Sequence, residues 1–160
     1  MTKIEIKRAI VSTHDKSFLS LLADYFIKYK IEVLSTGGTA RFLKGYSEEL
    51  KIIEISEFTN FDEILGGRVK SLHPYIHSGI LGKKNDNNHI KELKNINVPF
   101  IDLVVTNLYP FEKVVNDPKS KRQICIENID IGGPTLIRGA AKNYDNVTVL
   151  TNPNQYNSFL

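Results

Sequence analysis

The chain has 160 residues, 41% of them hydrophobic, enough for one core and too few for two ordinary domains. Its single cysteine, Cys125, excludes a disulfide framework and a multi-cysteine zinc site, and fits a reducing compartment. The net charge of +3 comes from 21 basic against 18 acidic side chains, without the clustered basic face of a nucleic-acid binder. The densest basic stretch, Lys119-Ser120-Lys121-Arg122, reads as a solvated loop. No apolar run approaches the roughly 20 residues of a membrane helix. The start, Met1-Thr2-Lys3-Ile4-Glu5, lacks the apolar region of a signal peptide, so a cytoplasmic protein is expected.

Strand and helix patterns alternate along the chain. Ile4, Ile6, Ala9, Ile10 and Val11 predict a first strand over 4–11. Asp15 is placed to cap a helix, whose apolar face is Phe18, Leu21, Leu22, Tyr25, Phe26 and Tyr29. A strand over 31–34 follows, then a glycine turn over 35–39, a helix over 40–44 and a third strand over 51–55. A short helix is expected over 61–65, and 68–82 reads as loop with a short strand near Ile80. A helix over 89–94, a buried strand over 101–106 and helices over 123–129 and 135–143 come next. A last strand over 146–150 leads into a helix that begins near Asn152. Strands separated by helices imply an α/β fold: a doubly wound, mostly parallel sheet with helices on both faces. Ligands in such folds bind beyond the carboxyl ends of the strands, which directs attention to the segments that follow strands.

Several of those segments carry chemistry. Ser35-Thr36-Gly37-Gly38-Thr39 joins a strand to a helix, with glycines, hydroxyls and a helix N-terminus suited to an anion. It lacks the Gly-Lys-Ser/Thr of a P-loop and the third glycine of a dinucleotide fingerprint, and it reads either as a phosphate cradle or as a tight turn. Lys16 adds a cation at the same sheet edge. In Gly66-Gly67-Arg68-Val69-Lys70-Ser71-Leu72-His73-Pro74, Arg68 and Lys70 stand at i and i+2, on one side if the segment is extended, and read as a grip on one ligand or as a solvated basic loop. His73 and His77 are four apart, but Pro74 breaks the helix a shared metal would need, so no metal is expected. Asn107 and Tyr109 follow a strand end. Asp130 precedes Gly132-Gly133 and a helix start, where it is either a cap or a reacting carboxylate beside an oxyanion site. Lys142 shares a helix face with Arg138. Cys125, between two isoleucines, reads as a buried structural thiol.

In this order the motifs resemble the IMP cyclohydrolase domain of the bifunctional purine-biosynthesis enzyme, which pairs that activity with AICAR formyltransferase. The stretches that carry the resemblance include Asp15-Lys16, Ser35 to Ala40, Gly66 to Pro74, Asn107 to Phe111, Glu127 to Gly133 and Ala140 to Asn143. It spans about Lys7 to Tyr156. It implies a methylglyoxal-synthase-like sheet and dehydrative ring closure of FAICAR to IMP without metal or organic cofactor. Lys70, Tyr109, Asp130 and Lys142 fall on catalytic positions. Ser12, Lys16, Ser35, Thr36, Gly37, Gly38, Thr39, Arg68, Asn107, Gly132 and Gly133 fall on substrate-binding ones. The expected partners are the ribonucleotide substrate and product, with a homodimer left open and neither nucleic acid nor membrane involved. His14 stands where relatives carry Ser. The resemblance implies that the formyltransferase domain, which uses 10-formyltetrahydrofolate, is absent, and residues 1–160 are expected to form one cyclohydrolase domain shortened at its C-terminal end. Two other classes keep the same fold: a methylglyoxal-synthase-like lyase and a nucleotide-binding regulatory domain.

Overall fold

Five strands line up in parallel in the computed structural model, which describes residues 4–160. They are β1 (Arg8–Thr13), β2 (Glu32–Ser35), β3 (Ile52–Glu54), β4 (Leu103–Asn107) and β5 (Thr148–Leu150), in the spatial order β3-β2-β1-β4-β5. The order runs outward from β1 in one direction and then restarts at β4 on its other side. The helices are α1 (Leu19–Lys28), α2 (Gly37–Tyr46), α3 (Ile55–Thr59), α4 (Pro74–Leu81), α5 (Asn87–Asn95), α6 (Phe111–Val115), α7 (Arg122–Glu127), α8 (Gly132–Lys142) and α9 (Tyr156–Phe159).

The pleat sends alternate residues to opposite faces. Ala9 and Val11 of β1, Val33 of β2 and Leu103 and Val105 of β4 pack with Leu19, Leu22 and Phe26 of α1, Leu43 of α2 and Tyr156 of α9. Ile10, Leu34 and Val104 point the other way, against Ile55, Ile76, Ile80, Leu136 and Ala140 of α3, α4 and α8. Both faces are therefore dry, which explains why the strands read as continuous apolar runs. The expected doubly wound α/β sheet is what forms.

The local differences have physical causes. Residues 4–7 precede β1 rather than opening it, because pairing begins where Arg8 meets Glu32. Asp15 does not cap α1: its Oδ1 accepts the Ser17 N–H at 2.8 Å, and Phe18 in the left-handed region precedes the helix. The short helix expected over 61–65 lies earlier, as α3, and a 3-10 turn occupies Leu65–Gly67. The segment expected as loop with a strand near Ile80 contains α4. Pro74 occupies its first position, where no N–H is needed, and His73 Nδ1 accepts the Tyr75 N–H at 3.1 Å. Helix α2 starts at Gly37 and α8 at Gly132, each three residues before its predicted start. Cys125 is half-buried, not buried.

At the amino edge of the sheet, Asp102 is buried. Its Oδ2 accepts the N–H groups of Lys7 and Arg8 at 2.8 Å each, and its Oδ1 faces Lys84 Nζ at 2.5 Å. Asp102→Ala leaves two backbone donors and an ammonium without their acceptor. It should lower unfolding free energy by about 3 kcal/mol. Urea unfolding reads this, and a loss under about 1 kcal/mol would show that the carboxylate does not anchor β1 to β4.

Candidate functional site

The carboxyl ends of β1, β2 and β4 open on a cleft of about 580 Å³. It lies where the strand order reverses, between β1 and β4, since the connections diverge there and leave the sheet edge uncovered. Ser12 to Lys16 form its floor, the start of α2 one wall, residues 66–72 a second, and Tyr109 with 126–133 the third.

The start of α2 is built to receive negative charge. Thr36 is its extended N-cap residue, and no side chain caps the first turn. Its leading N–H groups and the helix dipole thus point into the cleft without an acceptor. Gly37 has φ +57°, which disfavours a side chain there. A Cβ on Gly37 would lie 3.8 Å from Lys70 Nζ. One on Gly38 would lie 3.8 Å from Lys16 Nζ and 3.8 Å from an Arg41 guanidinium nitrogen. Two ammonium groups and a guanidinium therefore surround one uncapped helix start.

Two of the three hydroxyls of this turn are engaged within the fold. Ser35 is buried outside the cleft lining, and its Oγ donates to the Val11 carbonyl at 2.8 Å, tying β2 to β1. Thr39 accepts the Thr13 N–H at 3.1 Å and donates to the Thr13 carbonyl at 3.0 Å. Thr36 lines the cleft and is the member of the three with no such tie among the described hydrogen bonds.

The second wall holds Lys70 and one further cation, Arg68. Leu65, Gly66 and Gly67 have φ of 55°, 63° and 88°, three successive residues in a region that a leucine enters at a cost of about 1–2 kcal/mol. This hook folds Lys70 back over Gly67, where a Cβ would meet Lys70 Cε at 2.7 Å. Lys70 Nζ stands 3.2 Å from Glu63 Oε2. Arg68 is not extended, with φ −70° and ψ −22°, so the expected same-side geometry of Arg68 and Lys70 fails. Both line the cleft, but Arg68 reaches across it to pair with Glu127 at the end of α7. That guanidinium holds the Glu127 carboxyl below its ordinary range.

On the third wall Tyr109 is half exposed, its ring 5.1 Å from that of His14. Asp130 Oδ1 accepts the Gly133 N–H at 2.8 Å, so one of the two expected oxyanion donors is already engaged. The Gly132 N–H stays available at the start of α8, where a Cβ would clash with Ser71 Oγ at 2.8 Å. The Asn107 amide is engaged with the backbone of Asp15 in both directions, at 2.8 Å each.

Lys142 lies elsewhere. It is exposed at the far end of α8, about 15 Å along the axis from Gly132 at 1.5 Å per residue. Within one chain its ammonium does not reach the cleft, because the same helix that opens at the site ends at the opposite sheet edge. His73 and His77 are the cap and interior of α4, with His77 Nδ1 3.2 Å from the His73 carbonyl. Glu63, Glu127 and Arg41 were not anticipated. Glu63 had a local cue, a carboxylate flanking the glycine hook, whereas Glu127 meets Arg68 across 59 residues of chain.

Residues 19–135 match the family profile described as MGS-like domain. The chain belongs to the MGS-like domain family. This MGS-like domain is 47% identical over 156 residues to the bifunctional purine biosynthesis protein PurH of Leptospira biflexa serovar Patoc, covering 98% of the chain. It is 46% identical over 155 residues to the PurH of Lactobacillus acidophilus, covering 97% of the chain. It spans about 30% of the length of each of these relatives. Among solved structures, the crystal structure of ForH superposes with a TM-score of 0.78 at 32% identity, covering 96% of this chain and 77% of that one.

The hook that seats Lys70 gives a direct test. Gly67→Ala should displace Lys70 and weaken binding of inorganic phosphate at least fivefold, while the fold survives by circular dichroism. Unchanged phosphate affinity would show that Lys70 does not face the α2 anion site.

Proposed function

We propose that this MGS-like domain is an IMP cyclohydrolase of the bifunctional purine-biosynthesis type, closing the ring of FAICAR to give IMP. The observation that supports it best is the meeting of Lys16 and Lys70 at one uncapped helix start, opposite Tyr109 and Asp130, in a chain 47% identical to a PurH. The 5′-phosphate would lie on the Gly37 and Gly38 N–H groups beside Lys16. The imidazole would then extend toward Lys70, Tyr109 and Asp130, with Arg68 and Ser12 alongside.

The chemistry needs few parts. The carboxamide nitrogen attacks the formyl carbon and a C–N bond forms. The formyl C–O bond then breaks, and the oxygen leaves as water. That oxygen takes up two protons, one from the carboxamide nitrogen and one from the formamide nitrogen. Because both reacting groups belong to one molecule, holding them in an attack geometry supplies much of the acceleration. Lys70 would polarise the formyl oxygen and protonate it. Asp130 would accept a proton from the carboxamide, a role the resemblance shares between Asp130 and Lys142. Tyr109 would donate a hydrogen bond or relay a proton, and the Gly132 N–H would stabilise developing negative charge. This scheme uses no metal and no organic cofactor. The 10-formyltetrahydrofolate of the family serves the formyltransferase step. The reading places the protein in the cytoplasm. Among the described residues no helix is long and apolar enough to cross a membrane.

Ring closure of FAICAR, followed by absorbance and confirmed by detecting IMP, tests the proposal. Lys70→Ala should lower kcat about 100- to 1000-fold, the usual loss of one transition-state donor, with a smaller change in KM. Tight IMP binding without turnover would instead assign a regulatory site. Turnover of a triose phosphate would assign a lyase.

A further inference from the structure

Asn107 is the last residue of β4, paired in register with Thr13, the last residue of β1. The two backbones part there, yet the hydrogen bonding continues. Asn107 Oδ1 accepts the Asp15 N–H, and Asn107 Nδ2 donates to the Asp15 carbonyl, each at 2.8 Å. An amide side chain has the same donor and acceptor as a peptide unit, so Asn107 extends the β1–β4 ladder by one step in place of backbone. The residue fixed in this way is the neighbour of Lys16. Lys16 in turn sits against the start of α2, its Nζ 3.4 Å from the Thr13 carbonyl and 3.3 Å from that of His14.

We propose that Asn107 is a positioning residue that sets Lys16 at the anion site through Asp15 instead of contacting the ligand with its amide. The proposal rests on the reading of the α2 start as a phosphate site. Asn107 acts through Lys16, so its effect must vanish when Lys16 is gone. An aspartate in its place keeps the acceptor for the Asp15 N–H but loses the donor, and sets a carboxylate against the Asp15 carbonyl.

The test is a double-mutant cycle on the full 160-residue chain, with inorganic phosphate as the probe and calorimetry as the readout. Asn107→Ala and Lys16→Ala should each weaken phosphate binding about tenfold. The double variant should bind no more weakly than Lys16→Ala alone. Independent, multiplying losses would overturn the proposal and leave the phosphate site standing. Phosphate binding that is unchanged in Asn107→Ala would overturn it as well. A wild-type chain that binds no phosphate would sink the phosphate site itself, and this proposal with it. Denaturant midpoints of all variants separate loss of fold from loss of positioning, since a purely structural role would move the midpoint without coupling to Lys16.

Discussion

The cleft depends on β1 and β4 lying side by side in parallel. Parallel neighbours cannot be joined by a tight turn, so each strand must leave the carboxyl edge through a long connection. The connection from β1 goes one way into α1, and the one from β4 goes the other way into α6, α7 and α8. Among the described residues nothing covers the edge between them. The polar ends of both strands face one opening, and the start of α2 closes its third side. Asp102 at one end of this strand pair and Asn107 at the other bracket it, each accepting backbone N–H groups from the β1 side. The carboxylate sets where pairing begins, and the amide sets where it ends.

The central sheet was legible because burial on both faces leaves a strong signal. Ile101 to Thr106 and Ile31 to Leu34 are apolar runs with few competing interpretations, and Leu22 and Phe26 of the expected α1 face are buried, whereas Phe18 and Tyr29 flank the helix and are exposed. The glycine-rich turns were legible as sites, since they follow strands. Their internal arrangement was not. Ser35 and Thr39 looked like ligand donors, but a hydroxyl at a strand end finds a backbone carbonyl first, and theirs tie β1 to β2 and to α2. Lys142 falls on a catalytic position by resemblance, yet it stands at the far end of an eleven-residue helix, away from the cleft within one chain. The α4 helix was hidden by Pro74, whose meaning depends on whether it opens a helix or interrupts one. Tertiary pairing of Arg68 with Glu127 had no sequence cue at all.

Charge at the cleft is balanced by groups that can be exchanged. Arg68 is held by Glu127 and Lys70 by Glu63, and all four side chains are between one-third and two-thirds exposed. Pairs that open to water contribute only about 0.2–1 kcal/mol each. A phosphate on the α2 start would instead receive charge-assisted hydrogen bonds worth about 1.5–3 kcal/mol apiece. The exchange therefore favours the ligand, provided that the cations are already near where it lands. That proximity is what the backbone provides. The strained hook over Leu65 to Gly67 brings Lys70 to Gly37, and the Asn107 clamp on Asp15 brings Lys16 to Gly38. The backbone keeps them within reach, so binding needs a change of partner for two flexible side chains rather than a movement of the fold.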